Sequence, residues 1–487
     1  MIVSARPSPR SPWTSVGAWL VLMLGAWYLL AYIGVALMRM RYPYELEWME
    51  GAIVEQVRHV AAGHRLYVAP SIDFIPFQYP PLFFYAGALV SKVAGVGFLP
   101  LRLLSFLASL GCFAIIFAMV RKESGSTQGA FLAVSLFAAC FRADGAWYDL
   151  ARIDSLCLVL VLGAAYLVRF HAARRASLAA VILLALAFFT KQSALLIAVP
   201  LLGYLVVRSW REGALALTVF AALVGLATWG LDRAHHGWFI YYVFRMPARM
   251  QRLDPVSVNF WREDVLGPLP IAFAMSVGYT LRRISRDVIR QAMFYPLLAL
   301  GMVGSAWLSM LHAGAYYNNL MPAYAVISML FGLAAAEVML GSYVPVLCAV
   351  QLLLLFYDPR LEVPPARSRD AGDRLVSLIA ATPGDVLLPQ HGYLAAVAGK
   401  RSFAHSMAVY DVLRAGSPND ASRLVAQYEQ AFSERRFGAV IVDRLDPWMG
   451  EPLERSYRRS GAAIADTDAF WPVTGLRIRP EWLYLPR

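Results

Sequence analysis

Residues 13–51 read WTSVGAWLVLMLGAWYLLAYIGVALMRMRYPYELEWMEG. The part from 13 to 38 carries no charged side chain. At about 1.5 Å of helical rise per residue it is long enough to cross the roughly 30 Å hydrocarbon core of a bilayer. A secretory signal has an apolar region of only about 7–15 residues, so this stretch reads as a span that is kept. Arg6 and Arg10 stand before it, and Glu45, Glu47 and Glu50 come directly after it. Acids placed at a membrane edge are costly to bury and call for an explanation.

Composition extends that reading to the whole chain. Hydrophobic residues make up 59% and charged residues 16%, against roughly 45–50% and about 25% in soluble proteins. This excludes a cytosolic enzyme, a disordered chain and a disulfide scaffold. The net charge of +12, from 44 Lys+Arg against 32 Asp+Glu, is first a matter of topology, because basic residues gather in cytoplasmic loops. With no long Lys/Arg tract, a nucleic-acid partner is not expected. Cys112, Cys140, Cys157 and Cys348 lie in apolar stretches without CxxC spacing, so neither a disulfide nor a zinc site is expected.

Further apolar segments fall near 101–120, 127–141, 154–170, 176–190, 193–207, 213–231, 265–281, 292–311, 320–340 and 343–357. The connectors at Arg121-Lys122, 169–175, 208–211 and 282–290 are short and basic. All fall on the side of the N-terminus if eleven segments span and 82–96 does not, which places the N-terminus in the cytoplasm. The stretch 82–96, entered through Pro80-Pro81, then lies in the outer interface. It shares a long first external loop, 39–100, with a helix near 47–62. Trp48, Ile53, Val57 and Val60 suggest that helix's apolar face, with Glu47, Glu50 and Glu55 largely off it. Residues 232–264 oppose the charge rule, being assigned outside yet carrying Arg233, Arg245, Arg249, Arg252 and Arg262.

The expected architecture is mainly α: a polytopic membrane domain over 1–357 and a soluble α/β domain over 358–487. The latter is read from short apolar runs at 385–388 and 439–442 alternating with helix-like stretches such as 419–436. An odd span count puts it outside the cytoplasm. No internal repeat stands out.

Ionisable clusters locate the chemistry. Glu45, Glu47 and Glu50 follow the first span, and Asp144, Asp149 and Asp154 lie in RADGAWYDLARIDSL after the third. Carboxylates from both loops can converge on one surface, where one can take a proton from an acceptor hydroxyl. Taken singly, such acids are more often solvated loop residues, and Asp154 can simply cap a helix. Lys191, between two apolar runs, is suited to a phosphate or else snorkels to the interface. Arg245, Arg249 and Arg252, at i, i+4 and i+7, would share one helix face suited to a lipid phosphate, or form a solvated basic face. Tyr79 opens YPPLFFY, whose prolines fix a turn. In HAGAYYNNLMP, His312, Tyr317, Asn318 and Asn319 offer the hydrogen bonds a sugar needs, or form an ordinary turn. GxxxxGK[ST], GxGxxG, HExxH and GxSxG are absent, so ATP-driven transport, Rossmann chemistry, zinc hydrolysis and a serine esterase elbow lack support.

Taken in order, these pieces resemble the GT-C superfamily of polyprenyl-phosphate-dependent glycosyltransferases, which includes protein O-mannosyltransferases and lipid A aminoarabinose transferases. The resemblance runs over about 14–340. It rests on the acidic loop ending Glu50-Gly51, GHRLY from Gly63, YPPLFFY, RLLSFLASL from Arg102, the RxD of Arg152 and Asp154, FFTKQ around Lys191, and NNLMP from Asn318. It implies the GT-C fold and an inverting transfer of one sugar from a polyprenyl-phosphate donor to a glycan, lipid or protein acceptor. It further implies an extracytoplasmic active site on a bacterial inner membrane protein. By position Glu50 would be the general base, with Glu47 second, and Asp154, then Asp149, the supporting acid of the second loop. Lys191, Arg102 and the arginines at 245, 249 and 252 would hold the donor phosphate. Tyr79 would join the HAGAYYNNLMP residues at the substrate. Some members need a divalent cation and others do not; no cofactor is assigned here. A transporter or flippase of a lipid-linked glycan, which usually shows mid-membrane charges and repeated halves, and a non-catalytic membrane scaffold are the competing readings.

Overall fold

The computed structural model describes residues 16–253, 256–337 and 343–487. Arg6 and Arg10, the first residues of the leading span and the end of the 320–340 segment lie outside the described residues.

The apolar segments all form helices. In chain order the membrane part contains α1 Val16–Arg39, α2 Glu50–Ala61, α3 Leu82–Ala94, α4 Phe98–Ser124, α5 Thr127–Ala139, α6 Asp154–Phe170, α7 Arg174–Thr190, α8 Leu195–Arg208 and α9 Trp210–Ala234. It continues with α10 Pro270–Arg286, α11 Phe294–Met310, α12 Met321–Glu337 and α13 Tyr343–Leu354. Among the described residues, five helices are long and apolar enough to cross a membrane, and seven if two bent helix pairs each count as one span. Length and composition alone thus give five to seven candidate crossings; the eleven expected from the sequence include shorter helices. Several helices, such as α6 and α7 at 17 residues, are shorter than the roughly 20 residues of a straight span.

Local chemistry sets these boundaries. The turn after α4 uses Gly125 at φ +71°, and α5 starts where the Ser126 hydroxyl accepts from the Gly129 N–H, an N-cap bond. α5 and α12 cross where both backbones are bare: a Cβ on Gly332 would sit 2.5 Å from the Gly129 carbonyl oxygen. This is the small-residue packing that lets membrane helices approach closely. α3 begins at the Pro81 cap and packs on α2 and α4. On α2, Ile53 and Val57 are fully buried as the sequence suggests. Glu50 is buried as well, which corrects its placement off that face; the reason lies in its partner, described below.

Beyond residue 358 come α14 Ala366–Ala381, β1 Asp385–Leu387, α15 Ser406–Ala415, α16 Pro418–Ser433, β2 Phe437–Val442, β3 Tyr457–Ala462 and β4 Trp482–Pro486. The strands form one sheet in the order β1-β2-β4-β3, with β1 parallel to β2 and the other pairs antiparallel. The runs at 385–388 and 439–442 are thus strands, their alternation read correctly from composition. This C-terminal segment is tied to the first loop by backbone bonds from Val473 N–H to the Leu46 carbonyl, 3.0 Å, and from Ala404 N–H to the Ile72 carbonyl, 2.9 Å. The four cysteines are buried and free.

Candidate functional site

Three carboxylates within six residues can be buried together only if each finds its own cation. The loop entering α2 does this with partners from three distant regions. Glu45 meets His391 of the C-terminal segment, Glu47 meets Arg152 at 3.1 Å, and Glu50 meets Arg102 at 2.7 Å.

The three pairs differ in what they leave free. Glu50 is fully buried. Its Oε1 accepts from Arg102 Nε at 3.0 Å and Ala151 N–H at 2.7 Å; its Oε2 accepts from Arg102 Nη2 at 2.7 Å and Leu46 N–H at 2.8 Å. Burial alone would raise this carboxyl, but Arg102 and the two backbone donors hold it below the usual carboxylate range. Arg102 spends its other donors on the carbonyls of Arg39, Tyr42 and Tyr44. The pair is a closed clamp between α4 and the two loops. The structure therefore corrects both expectations: Glu50 has no lone pair turned to a substrate, and Arg102 has no donor left for a phosphate. Asp149 is corrected in the same way. Arg39 grips it through Nε at 2.8 Å and Nη2 at 2.5 Å, both side chains fully buried.

Glu47 lines a cavity of about 840 Å³ between the ends of the membrane helices and the C-terminal segment. Burial pushes its carboxyl up to about 7, against the pull of Arg152, which is near the range that serves a general base at neutral pH. Arg152 also reaches the Tyr79 hydroxyl at 3.5 Å. Tyr79 lines the same cavity.

The second group assembles from three positions far apart in sequence. Lys191 leaves the end of α7 in extended conformation, and its Nζ donates to Asp154 at 2.7 Å and to the Asn319 Oδ1 at 2.9 Å. Asp154 also accepts from Asn318 Nδ2 and Trp147 Nε1, both at 3.0 Å. Asp154 is the first residue of α6, but Ile153 is the cap and no side chain caps this end; its carboxylate serves the lysine. An ammonium has three donors, so Lys191 keeps one. Lys191, Asn318 and Asn319 all line the cavity, as does His312.

Arg245 and Arg249 are exposed and the cavity wall is formed by their neighbours Phe244, Pro247 and Met250 instead. Arg252 does not share their face. The helix stops at Arg249, Met250 is extended, and Arg252 pairs in an isolated bridge with His312. A π-helical turn over Tyr241–Arg245 leads into this short helix. Tyr317 is exposed, and Tyr316 lines the cavity in its place, its hydroxyl accepting from Gly475 N–H at 3.1 Å.

Sequence reading missed the partners. Nothing in HGY or VDR announces that His391 bridges Glu45 and Asp443, the latter at 2.9 Å. Burial would lower this imidazole, but Asp443 and Glu45 raise it to about 10. Asp144 is fully buried with neither oxygen hydrogen-bonded among the described residues; burial, with Asp154 nearby, pushes its carboxyl well up. Among the described residues no three His, Cys, Asp or Glu side chains form a metal-holding group. The first-loop acids face cations of the chain instead, so this donor set does not fit a divalent ion.

Residues 78–231 match the family model described as dolichyl-phosphate-mannose-protein mannosyltransferase. No curated protein sequence matches the chain. Among solved structures, the chain is similar to ArnT from Cupriavidus metallidurans bound to undecaprenyl phosphate, with TM-score 0.61 and 12% identity, over 97% of this chain and 98% of that one. The apo form of ArnT gives a TM-score of 0.60 at the same identity and coverage. The Archaeoglobus fulgidus oligosaccharyltransferase in complex with Zn and sulfate gives 0.51 at 12% identity, over 87% of this chain and 68% of that one. The acidic first loop, the lysine after α7 and the cavity they share thus sit on an ArnT-like scaffold, the GT-C fold.

Proposed function

We propose that the protein transfers one sugar from a polyprenyl-phosphate donor to an acceptor hydroxyl, with inversion, on the extracytoplasmic face of a bacterial inner membrane. The N-terminus would then be cytoplasmic and the C-terminal segment outside. The observation that carries this reading is the contrast between Glu47, open to the cavity with its carboxyl near 7, and Glu50, sealed by Arg102.

In this reading Glu47 takes the acceptor's hydroxyl proton as the acceptor oxygen bonds to C1 of the donor sugar. The bond from C1 to the phosphate oxygen breaks, and polyprenyl phosphate leaves as the anion. The remaining Lys191 donor, and Arg152 after Glu47 is protonated, stabilise the charge that collects on the departing phosphate, the moment at which fixed cations contribute most. The apolar wall of Phe188, Leu195, Leu196, Phe244 and Leu308 suits the first prenyl units. No step passes through a metal.

The test is transfer by purified protein in detergent, with radiolabelled polyprenyl-phosphate sugars as donor and a membrane-glycan extract as acceptor. Label should move to the acceptor with wild type and not with Glu47→Gln. Full transfer by a folded Glu47→Gln would overturn the assignment of the base.

A further inference from the structure

One wall of the cavity comes wholly from the C-terminal segment, and it holds buried acceptors with nothing to accept from. Asp411 on α15 is 7% exposed and lines the cavity, yet its Oδ1 has no partner among the described residues. Gln390 is 3% exposed, and its Oε1 is likewise without a partner. Its amide orientation is fixed, because Nε2 faces the Asp446 carboxylate at 3.4 Å and a carboxylate can only accept. Gln192 repeats the pattern: Nε2 donates to the Gln78 carbonyl at 2.8 Å, leaving its Oε1 without a partner in the same cavity.

Leaving a buried polar atom unsatisfied costs about 1–3 kcal/mol, so three in one cavity describe the ligand that belongs there. It must bring several hydrogen-bond donors. A bare phosphate brings only acceptors. A peptide in strand form would need an open sheet edge to pair with, and neither edge strand, β1 or β3, lines the cavity. Hydroxyls on a rigid ring supply donors at several angles, and the aromatic residues Trp48, Phe77, Trp147, Tyr316 and Tyr410 line the same cavity as the acceptors.

Asp411 also stands close to the proposed chemistry. Gln78 faces its carboxyl and opposes the effect of burial on it, and the next residue, Tyr79, touches Arg152, the partner of Glu47. We infer that the C-terminal segment builds an acceptor subsite, centred on Asp411 and completed by Gln390 and Gln192, that binds the hydroxyls of a carbohydrate. The inference rests on the transferase reading for calling the ligand an acceptor.

The experiment uses the full-length protein in lipid nanodiscs and a panel of methyl hexopyranosides and methyl pentopyranosides, with binding read by saturation-transfer NMR. Burial pushes the Asp411 carboxyl up to about 7, so the measurement is made at about pH 8, where the carboxylate prevails. Wild type should bind at least one glycoside, and Asp411→Leu should weaken it about tenfold or more, the range for a lost hydrogen bond to a charged group. Asp411→Asn keeps an acceptor oxygen without the charge and should fall between the two. Undecaprenyl phosphate binding should be unchanged in both variants, which reports on folding. Should Asp411→Leu fail to hold the lipid, Asp411→Asn decides. No glycoside binding by wild type, or binding indifferent to both variants, overturns the subsite. Binding of Ser/Thr tripeptides that is lost in these variants, with glycosides ignored, overturns the carbohydrate class. Because binding is read without turnover, failure of the transfer assay with Asp411-dependent glycoside binding intact sinks only the transferase reading. Working transfer with glycoside binding indifferent to Asp411 sinks only the subsite.

Discussion

Glu47 and Arg152 stand 3.1 Å apart at the cavity wall, although they are 105 positions apart in the chain. Three positions beyond Glu47, Glu50 makes four hydrogen bonds and does not line that cavity. The two neighbouring acids are built for different duties. Glu47→Gln should lower kcat by roughly 10²–10⁴, with the smaller loss of thermal stability, because Arg152 still faces the cavity when its partner is gone. Glu50→Gln should chiefly destabilise, by about 3–5 kcal/mol, because it leaves Arg102 fully buried and uncompensated. Kinetics and thermal unfolding of the two variants, side by side, check the division.

The acidity of Glu47 sets the pH profile. A base works when deprotonated, so kcat/KM should rise with pH through about 7 and level off above it. An ordinary glutamate, near pH 4.3, would already have levelled by about pH 5. A profile flat from about pH 5 to about pH 8 would remove Glu47 from the role, because the rise expected near 7 falls inside that window.

Lys191 is the cation with a spare donor. Lys191→Ala should cut kcat/KM for the polyprenyl-phosphate donor about tenfold to a hundredfold, or roughly 1.4–2.7 kcal/mol. Asp154→Asn keeps one acceptor oxygen, enough for Lys191 and Asn318 at Oδ1 but not also for Trp147 at Oδ2, so it weakens the hold on Lys191 without removing the ammonium and should cost less. Initial rates against donor concentration distinguish the two.

His391 joins the first loop to the C-terminal segment as an imidazolium between Glu45 and Asp443. Its pKa is raised on folding, so the stability it contributes is fully present below the unfolded value, about 6.5. It is lost as pH rises through about 10. The thermal midpoint should decline across that window. In His391→Leu, which strands two buried carboxylates, the midpoint should be lower at neutral pH by an amount equivalent to roughly 3 kcal/mol or more, and this decline should vanish.

Because each first-loop acid faces a cation of the chain, a chelator should leave the transfer rate unchanged. A rate abolished by EDTA and restored by one divalent ion would show that a carboxylate here abandons its partner for a metal.

The helices were legible because apolar length and flanking charge are properties of contiguous residues. Each apolar segment proved helical over its described residues, 82–96 included, and the strands at 385–388 and 439–442 followed from their short apolar runs. Lys191 and Asn318 stood out because polar groups beside apolar runs are conspicuous. The choice between Glu47 and Glu50 was not legible, since it depends on which distant arginine each acid meets. The same holds for Arg102, which looks like a phosphate ligand until its contacts with three carbonyls are seen. Arg252 was misplaced because the i, i+7 argument assumes an unbroken helix, and the chain leaves helix at Met250.

The order β1-β2-β4-β3 places β4, residues 482–486, between two strands that precede it in the chain. Until β4 arrives, β3 has no neighbour and β2 only one, so the sheet cannot form. The membrane helices can insert and pack as they emerge from the ribosome, but the wall that carries Asp411 and Asp446 waits for the last strand. A chain cut short by even those five residues would keep its membrane helices and lose its roof. The cavity is thus completed by a strand that follows, in the chain, every residue lining it.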